Sequence, residues 1–155
     1  MTNRRRFLQL ALAAPFVASP LSRAYAAAPE VFSASGFAIN GYDPVAYFAT
    51  DGHAVGSDAY VLKWMGTMWR FSSAQNMAAF EANPRGYAPK YGGYCAYAMA
   101  QGALATTVPE AWTIHEGRLY LNYSTGVRDL WRQDIAGHVA SANGHWPAAL
   151  NGQAQ

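Results

Sequence analysis

Val61-Leu62-Lys63-Trp64-Met65-Gly66-Thr67-Met68-Trp69-Arg70-Phe71 reads as two strands folded back on each other. The period-two spacing of its large apolar residues is that of a half-buried strand. A two-residue turn at Gly66-Thr67 sets Met65 opposite Met68, Trp64 opposite Trp69 and Leu62 opposite Phe71. Leu62, Trp64, Trp69 and Phe71 then share one face, and Lys63, Met65, Met68 and Arg70 the other. Ser72 or Ser73 can cap the helix that follows, which carries Met77 and Phe80 inward and stops before Asn83-Pro84.

The same arrangement recurs downstream. Trp112 to Tyr123 is a second hairpin turning at Glu116-Gly117, with Ile114 facing Leu119, Trp112 facing Leu121 and Tyr123 on that side. His115, Arg118 and Tyr120 point the other way. Ser124 or Thr125 caps a second helix in which Val127, Leu130, Trp131, Ile135 and Val139 keep helical spacing and Gly137 is an early stop. The chain is therefore expected to be α+β: two antiparallel β-hairpins packed with two longer helices and a short cysteine-bearing helix. The Trp64/Trp69 and Trp112/Leu121 faces are expected against the long helices, with a turn and a strand from Phe37 to Phe48. Whether the hairpins share a sheet is open.

Tyr91-Gly92-Gly93-Tyr94-Cys95-Ala96-Tyr97-Ala98-Met99 links the two units and holds the sole cysteine of 155 residues. Gly92-Gly93 suits a tight turn and Gly102 a helical C-cap, so Tyr94 to Gln101 can form two helical turns. Cys95 would then sit in the first turn, where free amides and the helix dipole favour thiolate. Met99 would share its face. Thiolate and thioether together suit a soft ion such as Cu(I). A lone cysteine among Ala, Tyr and Met also suits a small buried hydrophobe, and Met99 suits a core residue.

Asn3-Arg4-Arg5-Arg6-Phe7-Leu8 reads as a twin-arginine export signal, followed by an apolar stretch to Leu21 and small residues at Ala24-Tyr25-Ala26. The division expected is a signal at 1–26, a linker at 27–36, one domain at 37–150 and a tail at 151–155. The location expected is periplasmic or secreted, with no stable membrane insertion after cleavage. The eleven basic residues fall to seven when Arg4, Arg5, Arg6 and Arg23 leave, against nine acidic ones. The basic balance of the whole chain thus belongs to the signal, and no nucleic-acid partner is expected.

The four histidines are scattered. His53 and His115 read as solvated, and His145 precedes Trp146-Pro147. Asp134 and His138 fall four apart if the last helix passes Gly137, a carboxylate–imidazole pair of the kind that supports metal ligands. A helix ending at Ile135 or Gly137 dissolves that pair. The chain has no Cys-x-x-Cys, His-x-His or His-x-x-x-His, no phosphate loop and no nucleophile elbow.

Asn40-Gly41-Tyr42-Asp43-Pro44-Val45, Gly66-x-x-Trp69-x-Phe71-Ser72-Ser73, Phe80, Pro84 and Tyr87 together resemble a YHS domain. The Tyr91–Tyr97 run, Glu110-Ala111-Trp112-Thr113-Ile114, Leu119-Tyr120-Leu121-Asn122-Tyr123 and Trp146-Pro147 extend the resemblance to the exported twin-arginine YHS-domain proteins of bacteria. The resemblance implies a link to metal handling, since shorter YHS domains accompany heavy-metal transport ATPases and carry cysteines as presumed ligands. Those cysteines correspond here to Ala46, Ser72 and Asn76, so that site cannot be carried over.

Three readings follow. The first is an exported copper-binding protein using Cys95 and Met99, completed by a histidine such as His138 or by a second copy of the chain in a homo-oligomer. Its partners would be the metal ion and a metal-handling protein. The second is a non-metal ligand-binding or protein-interaction module, a YHS scaffold without its usual cysteines, with Tyr91, Tyr94 and Tyr97 as the binding aromatics. The third, an enzyme with Cys95 as nucleophile, lacks a base placed near the thiol by the sequence, so the balance leans away from catalysis.

Overall fold

The first turn lies one residue earlier than Gly66-Thr67. In the computed structural model, which describes residues 26–49 and 52–152, β1 (Ser57–Trp64) and β2 (Thr67–Phe71) are joined through Met65 and Gly66. Both residues have positive φ, 49° and 76°, as a primed two-residue turn demands. Trp64 therefore faces Thr67, and Leu62 faces Trp69 rather than Phe71. The predicted faces survive, because moving the turn by one residue shifts the pairing by two and the side-chain period is two. A bulge between Ser57 and Val61 shifts the register and brings Ser57 opposite Phe71.

Ser73 caps α1 (Ala74–Ala82) by accepting from the Asn76 amide, and Phe80 is fully buried against Trp69 and Phe71. Asn83 ends α1 and caps the single turn α2 (Pro84–Tyr87). A 3-10 turn, Lys90–Gly93, then leads to α3 (Ala96–Ala100). Gly92 has φ of 62°, and a Cβ there would collide with the Glu30 carbonyl, so the turn admits only glycine at this point.

The second hairpin has the register expected: β3 (Trp112–His115) pairs with β4 (Arg118–Leu121), with Trp112 opposite Leu121 and Ile114 opposite Leu119. The two hairpins form separate two-stranded sheets. The Trp112/Leu121 face does not pack on the second long helix. Leu119 and Leu121 join the first core, with Trp69, Phe71, Phe80, Ile39 and Tyr47. The opposite face carries Tyr120 into a second core with Tyr91, Met99, Trp131 and Ala142. Tyr120 is a large ring, so β4 is apolar on both sides and forms the wall between the cores.

The predicted second helix is two helices. α4 (Thr125–Arg132) is capped by Ser124, and α5 (Ile135–His145) by Asp134, whose carboxylate accepts from the Gly137 amide. A capping side chain inside the apolar period gives the backbone an alternative to continued helix, and the chain takes it. Leu130 is consequently left exposed.

The N-terminal stretch forms 3-10 turns at Ile39–Gly41 and Ala46–Phe48 with isolated bridges, not a strand. The segment read as a linker contributes Val31 and Phe32 to the buried interior, and Asn151 ends a 3-10 turn rather than opening a frayed tail. The signal expected at 1–26 lies outside the described residues except for Ala26. Among the described residues no helix is long and apolar enough to cross a membrane.

Candidate functional site: a cationic, aromatic-walled cleft

Cys95 is the N-cap of α3, not a residue of its first turn, and is buried. Its sulfur accepts from the Tyr123 amide at 3.3 Å and the Ala98 amide at 3.5 Å, and donates to Asn122 Oδ1 at 3.6 Å. Asn122 Oδ1 also accepts from the Tyr97 amide at 3.1 Å, which fixes which end of that amide faces the thiol. The thiol thus ties α3 to the end of β4. Met99 is fully buried in the second core.

His138 lies on α5. Its Nδ1–H donates to the Trp131 carbonyl at 2.9 Å, and its ring meets Tyr97 edge-on at 5.1 Å. α5 does continue past Gly137, but Asp134 is spent on its cap, so the Asp134–His138 pair does not form. No histidine is a hydrogen-bond partner of Cys95, and the described residues contain no cluster of three or more His, Cys, Asp or Glu side chains that could hold a metal. His53 is half-buried, with the rings of Tyr42 and Tyr47 beside it.

The three tyrosines do not converge. Tyr94 donates to the Pro29 carbonyl at 2.9 Å, Tyr97 lies against His138, and Tyr91 donates to Asn143 at 3.1 Å. Burial raises the pKa of Tyr91 and Tyr94, so both remain hydrogen-bonding phenols.

Ala46, Ser72 and Asn76 do converge, and on a carboxylate. Asp43 is fully buried. Its Oδ1 accepts from the Val45 and Ala46 amides at 2.8 and 3.3 Å. Its Oδ2 accepts from the Ser72 amide at 2.8 Å, the Ser72 hydroxyl at 2.7 Å and Asn76 Nδ2 at 2.6 Å. The positions that the YHS resemblance links to cysteines thus surround a saturated carboxylate, which joins the N-terminal turns to α1.

The concave feature with unused chemistry lies elsewhere. A cleft of about 320 Å³ opens where the first hairpin, α2, the Lys90–Gly93 turn and β4 meet. Trp64, Met65, Tyr91 and Trp146 give it an apolar wall, and Arg85, Lys90 and Arg118 give it three cations. Glu30 is the one carboxylate along its lining. Burial, and then the charge of Arg118, lower the pKa of Lys90 from its usual value of 10.5. The ammonium also stands 5.6 Å from the centre of the Tyr91 ring. Tyr91 itself has positive φ, 55°, an uncommon conformation for a side chain of that size. Of the residues expected to bind, only Tyr91 lines this cleft.

Arg85, Lys90, Arg118, Trp64 and Trp146 were not singled out by the sequence. The one available signal was the small number of basic residues after residue 26, with two of them, Arg85 and Lys90, just before the Gly-rich link. Their convergence depends on how α2 and the Lys90–Gly93 turn pack on β4. Comparison with protein-family models, with curated proteins and with solved structures finds no match.

Proposed function

We propose that this chain is an exported, YHS-like binding module whose ligand is a small molecule held in the cleft between the hairpins. The observation that carries the reading is the cleft itself: a concave, aromatic-walled volume in which cations from three elements meet with no ion pair among the described residues. The loss of the YHS cysteines agrees with it, since Ala46, Ser72 and Asn76 are committed to Asp43.

The copper reading draws support from one feature. With Nδ1–H given to a carbonyl, His138 keeps Nε2 free to accept or to ligate, an arrangement common in metal sites. Against it stands Cys95, a buried thiol whose proton is given to Asn122 and must be lost before the sulfur can bind an ion. The geometry favours the cleft.

Amide and indole NMR shifts recorded during a screen of small organic compounds test the reading. Binding in the cleft moves the indole N–H signals of Trp64 and Trp146 and the amides of Lys90–Gly93. Hits that move only residues around Cys95 and Asn122 would refute it. Metal analysis of anaerobically purified wild type and Cys95→Ala tests the copper reading, which requires stoichiometric copper lost in the variant.

A further inference from the structure

After the signal segment the chain has seven basic residues: Lys63, Arg70, Arg85, Lys90, Arg118, Arg128 and Arg132. Arg70 pairs with Asp58, and Arg128 pairs with Asp129 at 3.0 Å. Arg132 donates to the Thr113 hydroxyl at 2.9 Å and to the Trp112 carbonyl at 3.3 Å. Arg85, Lys90 and Arg118 line the cleft, and none forms an ion pair within the described residues. Three cations out of seven, drawn from α2, the Lys90–Gly93 turn and β4, therefore meet at one concavity.

Like charges gathered in a partly enclosed space repel, so a fold that keeps them together stores an attraction for a negative group. Lys90 and Arg118 are close enough to feel each other, since Arg118 makes Lys90 easier to deprotonate. The Arg118 Nε atom is buried and has no acceptor among the described residues, leaving one guanidinium donor unsatisfied there. Guanidinium forks match carboxylate and phosphate oxygens, and a lysine adds a point charge. Glu30 is the only acid in the lining and pairs with none of the three.

The remaining wall sets the other half of the ligand. Trp64, Met65, Tyr91 and Trp146 offer flat apolar surface beside the cations. The volume, about 320 Å³, is roughly twice that of a ~150 Å³ apolar cavity that accepts benzene. A ring and an acidic group fit together in that space.

Building on the cleft as the binding site, we propose that its ligand is a small organic anion, a carboxylate or phosphate ester on a planar apolar body. Lys90, Arg118 and Arg85 hold the acidic group, and the body lies on the wall formed by Trp64, Met65 and Trp146.

The test is a titration of the protein, followed by tryptophan fluorescence and calorimetry, with benzoate and phenyl phosphate as anionic probes. Benzyl alcohol and benzylamine are the neutral and cationic controls. Both anions bind, benzyl alcohol binds at least tenfold more weakly, and added salt weakens the anions but not the alcohol. Lys90→Gln and Arg118→Gln, which keep the polar stems, each weaken the anions tenfold or more while leaving the thermal transition in place. Benzyl alcohol binding as tightly as benzoate, with loss in Trp64→Ala, would overturn the anion inference and leave the cleft reading standing. Anion binding indifferent to both glutamine variants would place the anion site elsewhere and overturn the inference. Failure of every probe, together with failure of the compound screen to move Trp64 or Trp146, would overturn both.

Discussion

Cys95→Ala separates a thiol that holds the fold together from one that holds a ligand. Alanine leaves the amides of Ala98 and Tyr123 without their acceptor in a site that is 1% exposed. At the low end appropriate to weak sulfur bonds, each orphaned amide costs about 1 kcal/mol. Loss of a buried group the size of a methylene adds about 1 kcal/mol. The sum, about 3 kcal/mol, is a large part of the ~5–15 kcal/mol that stabilises a typical domain. With a urea slope of about 2 kcal/mol per M, the midpoint falls by about 1.5 M at unchanged slope. Cys95→Ser keeps an acceptor for both amides and a donor for Asn122, but with a shorter bond, and recovers about half of the loss. Urea unfolding followed by circular dichroism measures both variants. A loss below about 1 kcal/mol for Cys95→Ala, or a serine variant no better than alanine, would refute the assignment of Cys95 as a hydrogen-bonded tie.

Asp43→Ala removes the acceptor of five hydrogen bonds at a fully buried carboxylate, and loses about 4 kcal/mol in the same assay. Asp43→Asn turns an amide NH₂ against donors and recovers little of that. Tyr47 is buried with a hydroxyl that has no partner among the described residues, so Tyr47→Phe is neutral or stabilising by about 1 kcal/mol. Burial holds the pKa of Tyr47, Tyr91, Tyr94 and Tyr120 above the ordinary 10.0. The folded state therefore keeps protons that the unfolded chain sheds: stability is full below pH 10 and falls as pH rises above it, more gently in Tyr47→Phe. Anion affinity is full while Lys90 is charged and weakens as pH rises through its lowered pKa, starting below the ordinary 10.5. Arg118, Arg85, Glu30 and Tyr91 share that cleft, and a profile identical in Lys90→Gln would remove Lys90 as the titrating group.

Local pattern carried much of the architecture. Alternation and a Gly turn were enough for both hairpins, and at Glu116-Gly117 also for the register. At Met65-Gly66 the turn was read one residue late, with the glycine first; it sits second, after a non-glycine at positive φ, as Gly117 does after Glu116. The break at Asp134 was legible as an acceptor for the Gly137 amide only once the helix start was known, since the apolar period runs straight through it. The partners of Cys95 and the cleft were not legible. Asn122 and Tyr123 reach the sulfur from the end of β4, and Arg118 on β4 meets Lys90 where the Lys90–Gly93 turn packs on that strand. Such juxtapositions are set by packing over long sequence separations, where periodicity is silent.

Ligand binding in the cleft is the proposed function, and Cys95 is proposed as a structural tie. The most direct test of both is the dissociation constant of phenyl phosphate for wild type, Lys90→Gln and Cys95→Ala under one set of conditions. The expected result is tenfold or greater weakening in Lys90→Gln and no change in Cys95→Ala. Unchanged affinity in Lys90→Gln, with binding lost in Cys95→Ala while its thermal transition persists, would contradict it.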